Sequence, residues 1–434
     1  MSARNRELLG LVPASLLVTA GFAGVFIQRS NALSDVSLTY GAIFLGLCVA
    51  GHIFIRITLP HADPYMFPLV ALLASFGIVM IYRIDTTLAR QQAQWFVLGL
   101  ILFATTIVAF RDYRKLERYR YIIVFVSLGL MLLPRLPVIG YQANGAYLGV
   151  RIPGLFVFQP TEFAKVGLVI FLASYLRDTR QVLVMGARRF LGVTIPPIKH
   201  FGPVLVIWGV AMLILIVLHD IGSSLMFYGA LLSMLYVATS RLSFVVVGMV
   251  AFAVGAWYLG THIQHVNARV EAWLHPFDPR LYHAALGSYQ LANAIFAQAA
   301  GGMFGQGFGE AALTFPGTHA SLLPFPQTDM IYAVITDELG LFGAAAVLLA
   351  YLLFVARGFK TALLARDSFS TLMAVGLSSV FALQVFVIVG GVTRVIPLTG
   401  VTLPFISYGG SSIVANFVLL ALLLLVSDRA RRPA

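Results

Sequence analysis

The chain has 434 residues, of which 59% are hydrophobic and only 11% charged, and this composition excludes a water-soluble globular protein. Its apolar stretches are long and continuous, whereas a membrane β-barrel would alternate, so the sequence predicts an all-α polytopic membrane protein. The formal net charge is +12, and the positions of the charges decide whether they serve nucleic acid or the membrane.

The apolar runs predict about twelve transmembrane helices, because each approaches the ~20 residues that a helix needs to cross a bilayer. The predicted spans lie near residues 9–27, 37–57, 66–82, 94–110, 121–139, 161–177, 201–218, 221–239, 243–260, 329–356, 369–391 and 404–427. The first run follows Arg4 and Arg6 as a signal peptide would, but it lacks a clear cleavage site, which favours an anchor.

The basic residues are distributed unevenly between the two sides of these spans. Twenty of the 29 Lys and Arg residues fall in segments on the side of the termini, eight fall on the opposite side, and Lys165 lies within a span. Because Lys and Arg are retained in cytoplasmic loops, both termini are predicted to be cytoplasmic. The positive charge therefore orients the chain in the membrane, and nucleic-acid binding is excluded.

Four segments are predicted to face the extracytoplasmic side: 135–160, 219–222, 261–328 and 392–403. The third has about 68 residues, which is too long for a simple connection in a compact bundle. It ends at Asp329, where a new apolar run begins. Function is therefore predicted on the outer face.

Thr328 and Asp329 open this apolar run and carry two alternative interpretations. Either residue suits the cap of a helix, where an oxygen accepts backbone N–H bonds and an acid complements the helix dipole. An outward-facing carboxylate at a lipid interface is also well placed to take a proton from a hydroxyl group. Asp337 and Glu338 follow about 12–14 Å deeper in the same helix, where acids are costly and mark functional candidates.

Glu162 and Lys165 lie three residues apart at the start of a predicted span, and therefore on one helix face. They are either a mutually neutralised pair or a pair that lines a substrate cavity, and the sequence leaves both open. Arg269 and Arg394 are cations of the outer segments without an acid beside them in the sequence. They either reach towards lipid headgroups or hold a lipid phosphate.

Two glycine-rich stretches, 301–310 and 404–412, contain no nucleotide-binding signature. The first is predicted to be a flexible or re-entrant loop, with exposed backbone N–H groups that bind an anion as the alternative. In the second, small residues favour close helix packing, while hydroxyls such as that of Ser411 could line an anion site. The histidines of 261–328 match no zinc-binding pattern, so no metal-ligating residue is predicted.

Five segments in collinear order from about residue 95 onwards resemble the SEDS family (shape, elongation, division and sporulation), which includes RodA and FtsW. They are FQPTEFAK (158–165), DIGSS (220–224), GGMFGQG (301–307), TDMIYAV with DELG (328–334 and 337–340) and IPLTGVTLPFISYGGSS (396–412). Segments 267–270 and 392–400 are similar to RodA-type members, particularly those of actinobacteria.

The resemblance implies a peptidoglycan glycosyltransferase of the bacterial plasma membrane. Such an enzyme polymerises lipid II, the undecaprenyl-diphosphate-linked disaccharide-pentapeptide, into β-1,4-linked glycan strands on the outer face, for cell elongation and shape. The implied organisation is a ten-helix core at 61–428, a two-helix extension at 1–60 and a short basic cytoplasmic tail at 429–434. The implied partner is a class B penicillin-binding protein, and a divalent cation, Mg²⁺ or Mn²⁺, is a candidate cofactor without a predicted site.

The resemblance also assigns roles to residues. Asp329 takes the place of the family's essential aspartate, Glu162 and Lys165 that of a functional pair in the central cavity, and Arg269 that of a loop arginine. Arg394, Thr328 and Ser411 complete the predicted substrate-binding set. The alternatives are a lipid II flippase, a division-specific FtsW-type polymerase, and a scaffold that only recruits a synthase.

Overall fold

A computed structural model gives the structure of the chain and describes most of its residues. The described ranges are 3–30, 35–137, 139–143, 146–152, 156–185, 188–190, 193–195, 198–284, 287–315 and 321–433. Parts of the predicted outer segments 135–160 and 261–328, and the terminal residues 1–2 and 434, therefore lie outside the described residues.

Fifteen α-helices lie within these ranges. They are α1 (Ala3–Ser30), α2 (Asp35–Thr58), α3 (Met66–Ile84), α4 (Thr86–Ala109), α5 (Arg120–Leu132), α6 (Thr161–Met185), α7 (Ile198–Leu218), α8 (Ile221–Thr239), α9 (Leu242–His262), α10 (Gln264–Leu274), α11 (Pro279–Tyr282), α12 (Tyr289–Gly301), α13 (Ile331–Leu364), α14 (Ser368–Val392) and α15 (Gly410–Arg431). Short 3₁₀ turns cover Tyr113–Tyr119 and Leu133–Arg135, on either side of α5.

Each of the twelve predicted spans overlaps one of these helices. Within the described residues, nine helices are long and apolar enough to cross a membrane: α1, α2, α3, α4, α8, α9, α13, α14 and α15. The predicted all-α membrane architecture is confirmed. The count of twelve spans and their orientation stay predictions.

Two small sheets, which the sequence did not predict, accompany the helices. An antiparallel sheet has the order β1 (Gly140–Ala143), β2 (Ala146–Ile152) and β3 (Phe156–Phe158), and a hairpin joins β4 (Arg188–Phe190) to β5 (Val193–Ile195). The guanidinium of Arg151 lies 4.7 Å from the centre of the Tyr141 ring, which ties β2 to β1. The first sheet ends just before α6, which begins at Thr161.

The centre of the bundle is formed by α14 and α15. In their most apolar 18-residue windows, 83% of the residues of α14 and 89% of those of α15 are buried, compared with 6% for the peripheral α9. Helix α15 packs along α4, and α14 lies against α6, α8 and α13. Residues on α6, α8 and the entry to α13 are therefore brought together around these two central helices.

The end of the bundle that is predicted to be cytoplasmic, here called the inner end, contains a buried ionic network. The Asp63 carboxylate is fully buried and accepts bonds from Arg357 (2.6 and 2.9 Å) and from Arg431 (2.7 Å). Glu7 on α1 forms an ion pair with Arg4 and lies 2.8 Å from the His52 ring of α2. The network fastens α1 and α2 to each other and α13 and α15 to the segment before α3.

Helix α13 is broken at Gly340, whose φ of 65° and ψ of −169° leave the helical region. The glycine-rich segment 302–307 fills the break. Its amides donate to the carbonyls of Asp337 (2.8 Å) and Glu338 (3.1 Å), and one of its carbonyls accepts the N–H of Leu341 (2.9 Å). The backbone groups that the broken helix cannot satisfy are therefore paired, as a membrane interior requires.

Candidate functional site

Asp329 lies in the turn that leads into α13, at the end of the bundle opposite the ionic network, here called the outer end. Helix α13 begins at Ile331 with Met330 as its capping residue, and no side chain caps it. The Met330 N–H turns back to the carbonyl of Phe325 (3.3 Å), so the helix begins later than the sequence suggested. The predicted capping role of Thr328 or Asp329 is therefore wrong.

The segment 403–409 holds this turn in place from the opposite side. The Ser407 hydroxyl donates to the backbone carbonyl of Thr328 (2.7 Å), and the Tyr408 N–H donates to that of Gln327 (2.8 Å). The segment 403–409 is thus joined to the turn before α13 through the main-chain carbonyls of Gln327 and Thr328. The predicted span 404–427 begins at Gly410 instead, because its first residues form this support.

Gly400 lies directly against the Asp329 carboxylate. Its φ is +71°, a conformation that L-residues with a side chain rarely adopt, and a Cβ atom there would lie 3.3 Å from Asp329 Oδ2. Glycine therefore satisfies both the backbone conformation and the space beside the carboxylate.

The environment of Asp329 suits a proton acceptor. Burial raises the pKa of its carboxyl group to about 6, although the positive charge of Arg269 and a hydrogen bond from Thr328 lower it. The Arg269 guanidinium donates to the carbonyl of Leu398 (3.2 Å) and lies more than 4.0 Å from the Asp329 oxygens. At pH 7 Asp329 is therefore ionised, and its pKa is close enough to neutrality for general-base chemistry.

Asp220 lies close enough to both Arg269 and Glu162 to be influenced by their charges. It caps α8 and accepts bonds from the Ser223 N–H (3.0 Å) and hydroxyl (2.7 Å). Burial raises the pKa of Asp220, the Ser223 bonds lower it, the Glu162 charge raises it and the Arg269 charge lowers it. Neighbouring charges therefore influence one another in the order Glu162, Asp220, Arg269 and Asp329.

Glu162 and Lys165 form the predicted pair on α6. The Lys165 Nζ donates to Glu162 Oε2 (2.7 Å) and to Gln384 Oε1 (2.7 Å), and both charged residues are buried. Gln384 in turn donates to the carbonyl of Thr402 (3.0 Å). The two charges neutralise each other, as one alternative predicted, and the charge of Glu162 also acts on Asp220. That the pair lines a substrate cavity stays a prediction.

A groove of about 810 Å³ opens beside the Asp329 turn. Its lining residues include Gln91, Trp95, Tyr141, Thr328, Tyr408 and Ser411. The Ser411 hydroxyl accepts the N–H of Gln159 (2.8 Å), which fixes the start of α6 against the start of α15. Thr328 and Ser411 thus line one groove, next to the turn that carries Asp329.

Comparison with known proteins identifies the family. The family model described as cell cycle protein, which comprises FtsW, RodA and SpoVE, matches residues 64–432. The chain belongs to this family. The resemblance predicted from five sequence segments is confirmed.

Curated relatives match the chain over nearly its full length. Peptidoglycan glycosyltransferase RodA of Mycobacterium leprae is 38% identical over 441 residues, which cover 99% of this chain and 91% of the relative. RodA of Mycobacterium tuberculosis is 39% identical over 442 residues, with coverages of 99% and 92%. A probable peptidoglycan glycosyltransferase FtsW of Geobacter metallireducens is 33% identical over 372 residues, with coverages of 83% and 92%.

Solved structures have the same fold. A chain from a structure of a peptidoglycan synthase complex, described as coordinating polymerization and crosslinking, superposes with a TM-score of 0.68 at 25% identity. A mutant form of the rod shape determining protein RodA of Thermus thermophilus gives a TM-score of 0.60 at 25% identity. Each comparison covers 86% of this chain and 99% of the other.

Arg394 is placed differently from the other predicted site residues of this family member. Its guanidinium donates to the carbonyls of Trp273 (3.0 Å) and Leu274 (2.8 Å), and its own carbonyl accepts the indole N–H of Trp273 (3.0 Å). These bonds fasten the end of α10 to the loop after α14. The predicted contact of Arg394 with a substrate phosphate stays a prediction.

The glycine-rich run and the deeper acids belong to a packing interface. Glu338 forms an ion pair with Arg83 Nε (2.6 Å), and Arg83 also donates to the carbonyls of Gly309 (2.5 Å) and Ala311 (2.9 Å). The amides of 302–307 that pair with α13 are unavailable to an anion. The alternative of an anion site formed by these amides is therefore wrong, and Glu338 supports the fold beneath the site.

No metal centre is apparent among the described ranges, where no group of three or more His, Cys, Asp or Glu side chains is placed to hold a metal ion. Mg²⁺ is commonly held by one or two carboxylates together with substrate phosphates. The predicted divalent cation stays a prediction without an identified site.

Three polar residues of the site were not predicted as such. Asp220 stands in the segment DIGSS, which carries part of the family resemblance, but no role was predicted for it. Gln384 and Ser412, whose side chains lie 3.4 Å apart, carry one available signal. An amide or hydroxyl inside an apolar span requires a partner, and such groups often surround a cavity.

Proposed function

We propose that this chain polymerises lipid II on the outer face of the bacterial plasma membrane, with Asp329 as the general base. The activity class is that of the near-full-length relatives: the chain is a peptidoglycan glycosyltransferase of the RodA type, which serves cell shape. The finer proposal concerns the substrate, the side of the membrane and the roles of residues.

One observation carries the proposal. Asp329 is held by main-chain contacts in a turn beside a large groove, next to a glycine, and its pKa of about 6 keeps it ionised but basic at neutral pH. A sugar hydroxyl is a poor nucleophile at this pH, and a positioned base contributes roughly 10²–10⁴ in rate.

The reaction is a single displacement. The Asp329 carboxylate takes the proton from the 4-hydroxyl of the acceptor's N-acetylglucosamine, and the hydroxyl oxygen bonds to the anomeric carbon of the donor's N-acetylmuramic acid. The bond between that carbon and the diphosphate oxygen breaks, and its electron pair leaves with undecaprenyl diphosphate. Attack opposite the leaving group converts an α-linked donor into a β-1,4 linkage without a covalent enzyme intermediate.

The leaving diphosphate gains negative charge, which nearby cations stabilise. Arg269 is the best placed of the predicted cations, because its charge reaches Asp329 and Asp220 while neither carboxylate forms a direct ion pair with it. Lys165 is bound to Glu162 and Gln384, so it contributes by orienting the cluster under the groove.

A lipid II flippase is the competing function. It requires charged groups along a path through the membrane. Within the described residues, the charges of the site converge on the outer end, and the deeper Glu338 is neutralised by Arg83. Polymer formation by protein in detergent, where the two sides of a membrane do not exist, separates the two functions.

We assign the chain to cell elongation rather than to division because it is more similar to the RodA relatives than to the FtsW relative. RodA proteins match 99% of the chain at 38–39% identity, whereas the FtsW relative matches 83% at 33%. The proposed partner is a class B penicillin-binding protein, the transpeptidase that cross-links the strands. A chain of similar fold in a polymerization and crosslinking complex supports this proposal.

The test is a gel assay of lipid II incubated with the purified protein and a class B penicillin-binding protein. We expect Asp329→Asn, which is nearly isosteric, to reduce polymerisation by roughly 10²–10⁴. Glu271→Gln is the matched control, because it neutralises an exposed outer carboxylate on α10 and should leave the rate unchanged. Wild-type polymerisation by Asp329→Asn would overturn the assignment of the base.

A further inference from the structure

Two histidines from different segments meet beside the proposed site. The rings of His219, in the turn before α8, and His265, in the first turn of α10, have centres 4.0 Å apart and planes inclined by 49°. His219 has a φ of 64°, which is strained for a residue with a side chain and persists where surrounding structure holds it. The strained turn brings its ring onto that of His265.

One polar atom of His265 has no hydrogen-bond partner within the protein. This atom, Nε2, is buried. A buried polar atom without a partner is unfavourable, and such atoms in native proteins call for an explanation, such as a water or a ligand. A ligand group that pairs with Nε2 would remove this penalty.

The charges around His265 select the ligand. Arg269 lies one helical turn further along α10 and contributes a positive charge, and His219 packs against the ring from the α8 side. Burial, His219 and Arg269, in this order, lower the pKa of His265 to about 4, so the ring is neutral and carries one N–H. Asp220, which follows His219, is occupied by Ser223.

We propose that His265 donates its Nε2–H to a phosphate oxygen of the polyprenyl diphosphate, beside Arg269, and that His219 fixes the orientation of the ring. This inference rests on the proposed function and assigns a further residue to the substrate site. A neutral donor next to a fixed cation matches a diphosphate, which offers several acceptor oxygens and negative charge. A sugar hydroxyl is better served by the carboxylate of Asp329, which can accept its proton.

The proposal is tested by direct binding of undecaprenyl diphosphate to the full-length protein, which requires no polymerisation. His265→Leu should weaken binding about tenfold or more, since a hydrogen bond to a charged group contributes roughly 1.5–3 kcal/mol. His265→Gln should restore most of the affinity, because its amide can place an N–H near the position of Nε2. His262→Leu is the matched control, since His262 is exposed and bonded only to its own helix.

A second ligand separates the phosphate from the lipid chain. Undecaprenol, which lacks the diphosphate, should bind wild-type and His265→Leu protein equally. Equal loss for both ligands, or failure of His265→Gln to restore affinity, would show that His265 only packs and would overturn the proposal. Unchanged affinity for undecaprenyl diphosphate in His265→Leu would also overturn it. Absence of polymerisation by the wild type with intact diphosphate binding would instead count against the proposed function.

Discussion

The inner and outer ends of the bundle both bury charged side chains, but they arrange them differently. At the inner end, Asp63 is bonded directly to Arg357 and Arg431 at 2.6–3.1 Å. At the outer end, Asp329 and Arg269 influence each other's pKa while they remain more than 4.0 Å apart.

The difference separates structural from functional charges. Opposite charges that are fully paired neutralise each other and hold helices together, and losing one partner leaves a costly buried charge. Charges that are close but unpaired keep their capacity to bind a ligand or exchange a proton. We infer that the inner network maintains the bundle and that the outer cluster performs chemistry.

The largest expected effect is a difference in the free energy of unfolding between two nearly isosteric substitutions. Asp63→Asn leaves Arg357 and Arg431 without their buried carboxylate and should lower the free energy of unfolding by roughly 3–5 kcal/mol. Asp329→Asn removes a charge whose pKa is raised by burial, so stability at pH 7 should not fall. Thermal unfolding of both variants in the same detergent measures this. Equal destabilisation by the two variants would contradict the division between the two ends.

The pH dependence of the rate is the next effect. Only the ionised carboxylate of Asp329 can act as a base, so kcat/KM should rise about tenfold per pH unit below the pKa of about 6 and level off above it. Arg269→Gln removes the charge that lowers this pKa, so the inflection should move to higher pH. A pH–rate profile without an inflection near 6 in the wild type would argue against Asp329 as the base.

The same pKa has an opposite consequence for stability. Because folding raises the pKa of Asp329 above its unfolded value, the protonated acid favours the folded state. This contribution is fully present below about pH 4, the ordinary range of an aspartate, and is lost as the pH rises through about 6. Asp329→Asn should remove it from the pH dependence of thermal unfolding.

The smallest effect concerns Gly400. Gly400→Ala places a methyl group 3.3 Å from Asp329 Oδ2 in a left-handed conformation, at a backbone cost of about 1–2 kcal/mol. The displaced carboxylate should reduce kcat by about tenfold. Gly302→Ala is the matched control, because Gly302 also has a positive φ of 52° but no atom within 4 Å of its Cβ position.

The two variants should be compared by lipid II polymerisation and by thermal unfolding. We expect similar losses of stability and a loss of kcat only for Gly400→Ala. A similar loss of kcat in Gly302→Ala would attribute the effect to general backbone strain.

The sequence was sufficient for the long apolar helices because lipid imposes a simple rule, namely continuous apolar runs of bilayer length. The shorter helices α10, α11 and α12 lie in the segment 261–328, where no helix was predicted. The sequence was also sufficient for the i, i+3 pair of Glu162 and Lys165, whose contact depends on one helix alone. Asp329 was found because a carboxylate at the start of an apolar run is costly unless it has a purpose.

The remaining features depend on backbone geometry and on contacts between distant segments. Hydropathy does not reveal the break at Gly340 or the loop that precedes Gly410, since both segments are as apolar as their neighbours. Arg394 looked unpartnered because its partners are main-chain carbonyls, which carry no sequence signature. The meeting of His219 and His265 likewise required the fold.

The backbone pairing between segment 302–307 and the broken helix α13 restricts how this protein can be recombined with relatives. A chimera whose junction falls between segment 302–307 and α13 would take these two hydrogen-bonded segments from different proteins. Residues 301–309 and 336–342 therefore form a single exchangeable module, although 26 residues of intervening sequence lie between them. Domain exchange that keeps this module intact is the design that should yield folded hybrids.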